Sequence, residues 1–112
     1  KYEGTYEITD AFRGLVVLIE MSSKRLLIDS FAQHAAAALK IPSTVCWIAN
    51  KPQVFGYSIH DNIQSNPFTR KPELRQAFLA KFNINGELVE FPYQSENEIF
   101  NIDTIINSVR NQ

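Results

Sequence analysis

The chain has 112 residues, of which 45% are hydrophobic, and its 11 basic residues are balanced by 12 acidic ones. This length suits one domain that buries a core without disulfides or a structural metal. The balanced charge excludes a global field that would recruit nucleic acid or an anionic membrane surface. The single cysteine, Cys46, suits a reducing compartment, and no apolar run approaches the roughly 20 residues of a transmembrane segment. We therefore expect a cytoplasmic protein.

The first predicted helix follows Thr9 or Asp10, either of which can cap its amino end. Its apolar residues recur at the i, i+3, i+4 and i+7 spacing of one helical face: Phe12, Leu15, Val16 and Ile19. We expect this face to cover a sheet.

Residues 25–49 are predicted to form a strand, a helix and a second strand. Residues 25–28 are a short apolar run, and residues 44–49 are rich in β-branched and aromatic side chains. Between them, residues 32–39 are mostly alanine, which favours a helix lying close against a sheet. Pro42 ends that helix. Because such connections nearly always join parallel strands, we predict a βαβ unit.

The turns after the two strands carry polar residues. Parallel strands end at the same edge of a sheet, so Asp29 and Ser30 are expected to share that edge with Asn50 and Lys51. The helix directs its unpaired N–H groups and positive dipole end at the same edge. This arrangement predicts a site for phosphate or another anion. The simpler interpretation is that Asp29 and Ser30 only cap the helix.

Residues 50–70 contain most of the turn-forming residues and are predicted to form a long structured loop. Within it lies a polar cluster of His60, Asp61 and Asn62. This cluster can contact a ligand, or it can form a turn stabilised by side-chain hydrogen bonds. A further helix is predicted to begin at Pro72.

The dipeptide Asn85-Gly86 is a strong turn signal and leaves two interpretations open. Either residues 82–84 fold back on residues 88–91 as a hairpin, or a helix ends at the turn and a parallel strand follows. We favour the second. A last helix is predicted from another stripe at helical spacing, formed by Ile102, Ile105, Ile106 and Val109. These elements together predict an α/β fold with a small, mostly parallel sheet.

The run of residues 29–45, DSFAQHAAAALKIPSTV, resembles the motif D-S/T-G-x-x-H-x-A-A-A-L-x-x-P-T of the heptosyltransferase-like glycosyltransferases of family 9. The resemblance continues through Asn50-Lys51-Pro52 and extends back over residues 8–28. It implies a three-layer, Rossmann-like sheet and the carboxy-terminal, donor-binding half of a GT-B architecture.

The resemblance also implies that residues 1–112 form a single nucleotide-sugar-binding domain and are a fragment of a two-domain protein. The full protein would transfer a hexose or heptose from a nucleotide-diphosphate sugar to an acceptor held by a missing amino-terminal domain. No metal or other cofactor is expected. The fragment alone is expected to be inactive, because two-domain transferases react in the cleft between their halves, and its catalytic residues stay unidentified.

By position, the resemblance implies four donor-site residues: Asp29, Ser30, Phe31 and His34. Lys51 is a further candidate, through contact with a phosphate. The simpler interpretations are a hydrogen-bonded structural role for His34 and a solvated side chain for Lys51.

Three more residues, in the predicted loop, are candidates for contact with the sugar: His60, Asp61 and Asn62. Phe31 departs from the motif, because the family has glycine there, and a glycine lets the backbone approach a phosphate closely. The alternative function is therefore a non-catalytic binding or oligomerisation module that keeps the fold but has lost donor binding. An open sheet edge would then invite a second copy of the chain.

Overall fold

The computed structural model describes residues 11–48, 50–67, 83–84, 87–88 and 93–112. In chain order its elements are α1 (Ala11–Met21), β1 (Leu26–Ile28), α2 (Phe31–Ala38), β2 (Thr44–Trp47), α3 (Pro52–Phe55), β3 (Asp61–Gln64), β4 (Asn83–Ile84), β5 (Glu87–Leu88), a 3-10 helix (Glu96–Glu98) and α4 (Ile102–Arg110). The helix predicted from Pro72 and the caps predicted at Thr9 and Asp10 lie outside the described residues.

The main sheet has three strands in the order β1-β2-β3, and both neighbouring pairs are parallel. Leu27 lies beside Val45, and Val45 lies beside Asn62. The predicted α/β fold with a small parallel sheet is therefore confirmed, and β1-α2-β2 is the predicted βαβ unit.

Helices cover both faces of this sheet. On one face, Ala35 and Ala36 of α2 are buried together with Ile19 of α1, and Leu27 of β1 packs against them. On the other face, α4 contacts β2 and β3, and one hydrogen bond of 2.6 Å joins the hydroxyls of Thr44 and Ser108. The three-layer arrangement expected from the sequence is thus present.

The two predicted apolar stripes are only partly buried. In α1, Ile19 is buried but Phe12 is 66% exposed and meets the ring of Phe31 instead. In α4, Ile102 and Ile106 are exposed. None of the helices in the described ranges is long and apolar enough to cross a membrane.

The side chain of Gln112, which follows α4, completes the amino end of β1. Its Oε1 accepts from the Arg25 N–H at 2.8 Å, and its Nε2 donates to the Arg25 carbonyl at 2.6 Å and to Thr44 Oγ1 at 2.8 Å. Lys24 Nζ donates to the carbonyls of Arg110 and Gln112. These bonds hold the carboxyl end of α4 against the start of β1.

The predicted loop over residues 50–70 contains two elements that the sequence did not indicate, α3 and β3. β3 has the sequence Asp-Asn-Ile-Gln, so it lacks the apolar alternation that marks a strand. Its polar side chains are used within the fold: Asn62 Oδ1 accepts from the Trp47 indole at 3.0 Å, and Gln64 Nε2 donates to the Trp47 carbonyl at 3.2 Å. A polar strand is tolerated because β3 is an outer strand.

The favoured interpretation of Asn85-Gly86 is wrong. β4 and β5 form an antiparallel pair, with Asn83 beside Leu88 and Ile84 beside Glu87. The hairpin alternative is therefore the correct one. Two residues separate the strands, which is the connection length at which Asn-Gly is most favoured.

α2 ends in a left-handed turn at Lys40, whose φ is 59°. The Lys40 N–H donates to the Ala37 carbonyl at 3.0 Å, and the Ile41 N–H donates to the Ala36 carbonyl at 2.9 Å. These two bonds form a Schellman motif, which usually has glycine at the left-handed position because a Cβ is strained there. The helix is thus terminated by its own hydrogen bonds before the chain reaches Pro42.

Replacing Lys40 with glycine should stabilise the domain by about 0.5–1 kcal/mol, because the strain of the left-handed conformation is relieved. Urea unfolding followed by circular dichroism measures the change. Lys40→Ala is the matched control, since it removes the charge and keeps the Cβ. A glycine variant no more stable than the alanine variant would show that Lys40 is not strained.

Candidate functional site

The carboxyl ends of β1 and β2 meet at one edge of the sheet. Asp29 follows β1 and Asn50 follows β2, and the Asn50 Nδ2 donates to the Asp29 Oδ2 at 2.5 Å. The predicted juxtaposition of these two turns is therefore confirmed. The Oδ1 of Asn50 is buried and has no hydrogen-bond partner in the described part of the chain. A carboxylate and an amide oxygen with spare accepting capacity thus lie side by side at this edge.

α2 begins at the same edge without a side-chain cap. Ser30 occupies the N-cap position with an extended backbone, at φ −157° and ψ 179°, but its hydroxyl makes no capping hydrogen bond. That hydroxyl lies 3.4 Å from the Ile28 carbonyl instead. The simpler interpretation of Ser30, capping by its side chain, is not realised.

The first N–H groups of α2 therefore have no capping side chain as an acceptor. The Gln33 N–H donates back to the Ser30 carbonyl at 3.3 Å. Over the described ranges, the N–H groups of Phe31 and Ala32 have no acceptor. Together with the positive end of the helix dipole, two free N–H groups form an arrangement that binds anions.

The ring of Phe31 lies against α1. Its centroid is 4.9 Å from that of Phe12, with 59° between the ring planes, and the side chain is 45% exposed. The side chain that replaces the glycine of the motif thus packs on a neighbouring helix, while the backbone N–H of Phe31 keeps its place at the start of α2.

His34 and Lys51 differ in their surroundings. The Nδ1 of His34 lies 2.9 Å from the Tyr57 hydroxyl, and the two rings meet edge to face at 5.5 Å. His34 therefore has a structural partner, as its simpler interpretation expects. Lys51 is exposed and takes the N-cap position of α3, next to Asn50, and its ammonium has no bonded partner among the described residues.

The structure places His60, Asp61 and Asn62 at the opposite edge of the sheet from Asp29. Asp61 pairs with Thr44 at the start of β2, so the cluster is separated from the end of that strand by about 10 Å at 3.3 Å per residue. Asp61 and Asn62 begin β3, and His60 closes the turn before it, because its N–H donates to the Tyr57 carbonyl at 3.1 Å. The Asn62 side chain bonds this turn, as the simpler interpretation of the cluster expects. The sheet therefore separates these three residues from Asp29, although the His60 ring reaches Gln33 in the first turn of α2.

Two of these three side chains are used inside the protein. His60 is buried, its Nδ1 accepts from the Ser43 N–H at 3.2 Å, and its Nε2 donates to the Gln33 carbonyl at 2.8 Å. Both bonds together require the tautomer with the proton on Nε2. Asn62 Nδ2 donates to the Tyr57 carbonyl at 3.0 Å, in addition to the bond from the Trp47 indole. Asp61 is exposed.

Gln33 is a buried residue that sequence reasoning missed. It is 0% exposed, and its Nε2 donates to the Phe55 carbonyl at 3.1 Å, which ties α2 to the end of α3. Its Oε1 is buried without a partner in the part of the chain that the structure describes. The sequence did contain a signal for this role, because Gln33 is a polar residue on the buried face of an alanine-rich helix.

The described residues offer neither an evident metal site nor an activated thiol. Within those ranges, no three His, Cys, Asp or Glu side chains are grouped so as to hold a metal ion. Burial in β2 raises the pKa of Cys46 above its ordinary value of 9.0, so the thiol stays protonated near neutral pH. The expectation that the donor site works without a cofactor stays a prediction.

Comparison with known proteins found no matching family model, no matching curated protein and no matching solved structure. The fold and the geometry at the start of α2 are therefore the observations from which a function is inferred, beside the resemblance of residues 29–45.

His60→Ala should destabilise the domain by about 2–4 kcal/mol, because it leaves the Ser43 N–H without its partner, removes the bond to the Gln33 carbonyl and opens a cavity. Urea unfolding provides the measurement. His34→Ala is the control. His34 and its partner Tyr57 are both exposed, so this substitution should cost less than about 1 kcal/mol. Equal costs for the two variants would contradict the structural role of His60.

Proposed function

We propose that this chain is the donor-binding domain of a glycosyltransferase that uses a nucleotide-diphosphate sugar. The observation that carries the proposal is the uncapped start of α2 at the edge where two parallel strands end. The free N–H groups of Phe31 and Ala32 and the helix dipole suit a diphosphate, whose oxygens accept hydrogen bonds and carry negative charge. The resemblance of residues 29–45 supports a sugar nucleotide as the source of that diphosphate.

Asp29 fits the sugar end of such a donor. A carboxylate repels a phosphate but accepts hydrogen bonds from sugar hydroxyls, and Asn50 holds its Oδ2 in place at 2.5 Å. Lys51, exposed beside Asn50, adds a positive charge that a diphosphate would attract. We assign no donor contact to His60, Asp61 or Asn62, because they lie at the start of β3, whereas Asp29 follows the end of β1.

In the proposed reaction the domain contributes position and charge. The N–H groups at the start of α2 would stabilise the negative charge that grows on the departing diphosphate. The proposed reaction therefore does not require a bound metal ion. The base that activates the acceptor would come from an amino-terminal domain, and the acceptor would bind there. This GT-B arrangement and a location in the cytoplasm belong to the same proposal.

The first test removes one amide of the proposed site. Phe31→Pro deletes the N–H at the first helical position, where proline is favoured, and the extended backbone of Ser30 is compatible with a following proline. Phe31→Ala is the matched control, because it removes the same ring and keeps the N–H. Isothermal titration with a panel of nucleotide-diphosphate sugars should give an affinity about tenfold lower for the proline variant than for the alanine variant.

Equal affinity of these two variants, or no binding by the parent chain at about 1 mM ligand, would refute the proposal. Tighter binding by Phe31→Ala than by the parent would mean that the ring obstructs the phosphate. That result would favour the alternative, a module of the same fold in which donor binding has been lost.

The second test separates the sugar from the diphosphate. Asp29→Asn should weaken binding of a nucleotide-diphosphate sugar about tenfold, and it should leave the sugar-free nucleoside diphosphate bound at least as tightly, because a like charge is removed. Competition titrations with the two ligands measure both effects. Asp61→Asn, an exposed carboxylate at the far edge, is the control. Parallel losses for both ligands would contradict the role of Asp29 at the sugar.

A further inference from the structure

β1 is an outer strand of the main sheet, and among the described residues its outward backbone groups form no pairing with another strand. The Thr44 N–H donates to the Arg25 carbonyl at 3.2 Å, and Leu27 pairs with Val45, so the backbone groups of Arg25 and Leu27 are directed at β2. In a parallel ladder the intervening residues, Leu26 and Ile28, direct theirs to the other side. Within the described ranges, the one hydrogen bond to these outward backbone groups comes from the Ser30 hydroxyl, which lies 3.4 Å from the Ile28 carbonyl.

The side chains of Leu26 and Ile28 are also uncovered. They share the sheet face of Thr44 and Cys46, the face on which α4 packs. α4 makes its main contacts with β2 and β3, and Leu26 and Ile28 are 55% and 65% exposed. A sheet edge with exposed apolar side chains and unpaired backbone N–H and C=O groups can pair with another chain, and proteins ordinarily cover such an edge or place charged residues on it.

The sequence of this edge is self-complementary. Residues 25–29 are Arg-Leu-Leu-Ile-Asp, with Leu27 at the centre, an aliphatic residue on each side of it and opposite charges at the two ends. Hydrogen bonds tie both charged groups to the segments that flank β2, from the Arg25 guanidinium to the Pro42 carbonyl at 2.9 Å and from Asn50 to Asp29 at 2.5 Å.

We propose that β1 pairs antiparallel with β1 of a second copy of this chain, about a two-fold axis at Leu27. Leu26 then lies opposite Ile28 of the partner subunit, and the two symmetric pairs make four hydrogen bonds. Arg25 lies opposite Asp29 of the partner subunit, so this register places residues of opposite charge at the same end of the pairing. The two sheets become one continuous sheet of six strands, and four exposed aliphatic side chains cover one another.

The proposed pairing does not require a bound donor, although Asp29 belongs both to the proposed donor site and to the paired strand. The antiparallel register is favoured over a slipped one, because a shift by one residue would place Leu26 and Ile28 on the wrong face and would lose the charge pairing. A closed two-fold pairing also leaves the outer strand β3 as the edge of the assembly, and β3 carries polar side chains.

Sedimentation velocity over a concentration series, with the full chain, tests the dimer. Leu26→Lys and Ile28→Lys should each raise the dimer dissociation constant at least about tenfold, because lysine is among the residues that block edge pairing. Val54→Lys is the matched control, since Val54 is 57% exposed on α3 and away from β1. A parent chain that is monomeric at every concentration, or lysine variants that dimerise like the parent, would overturn the proposal.

Disulfide trapping tests the register. A mixture of Leu26→Cys and Ile28→Cys chains should form a covalent dimer under mild oxidation, because opposed residues have Cα atoms about 5.5 Å apart. Either variant alone should not, since like positions would be about 9 Å apart, beyond the reach of a disulfide. The parent chain, whose Cys46 is buried, controls for background. Cross-linking of either variant alone would refute the proposed register.

Discussion

The close contact between α2 and the sheet is the constraint on which the rest of the described structure depends. Ala35 and Ala36 are 8% and 0% exposed, and their small side chains let the helix backbone approach the strands. A short helix at close range can return the chain from the end of β1 to the start of β2 in few residues. The ends of the two strands therefore lie side by side, and Asp29 meets Asn50 there.

Elements with a clear apolar period were predictable from the sequence, and elements built on polar contacts were not. α1, α2, α4, β1 and β2 follow hydrophobic spacing and alanine content. β3 does not, because its Asn62 and Gln64 side chains are held by hydrogen bonds to Trp47. No local sequence pattern predicts these bonds. For the hairpin of β4 and β5 the favoured interpretation was wrong, because Asn-Gly suits both a helix end and a tight turn.

Some contacts at the candidate site were likewise predictable from the sequence, and others were not. Asp29 and Asn50 could be placed together because parallel topology alone brings their turns to one edge. His60 and Gln33 could not, since the Gln33 carbonyl accepts from His60 across a tertiary contact between residues far apart in the chain. Spacing shows which residues share an edge of a sheet, whereas the partner of a single buried side chain depends on the packed whole.

The amide of Gln112 occupies the place that another strand would take beside Arg25, donating and accepting as a peptide group does. The two residues are 87 positions apart, so the hydrogen bonds at the start of β1 join segments that are distant in the chain. Contacts of such high sequence separation close slowly, because much chain entropy is lost before they form. β1 therefore acquires its full set of hydrogen bonds only once the segment that follows α4 has docked beside it.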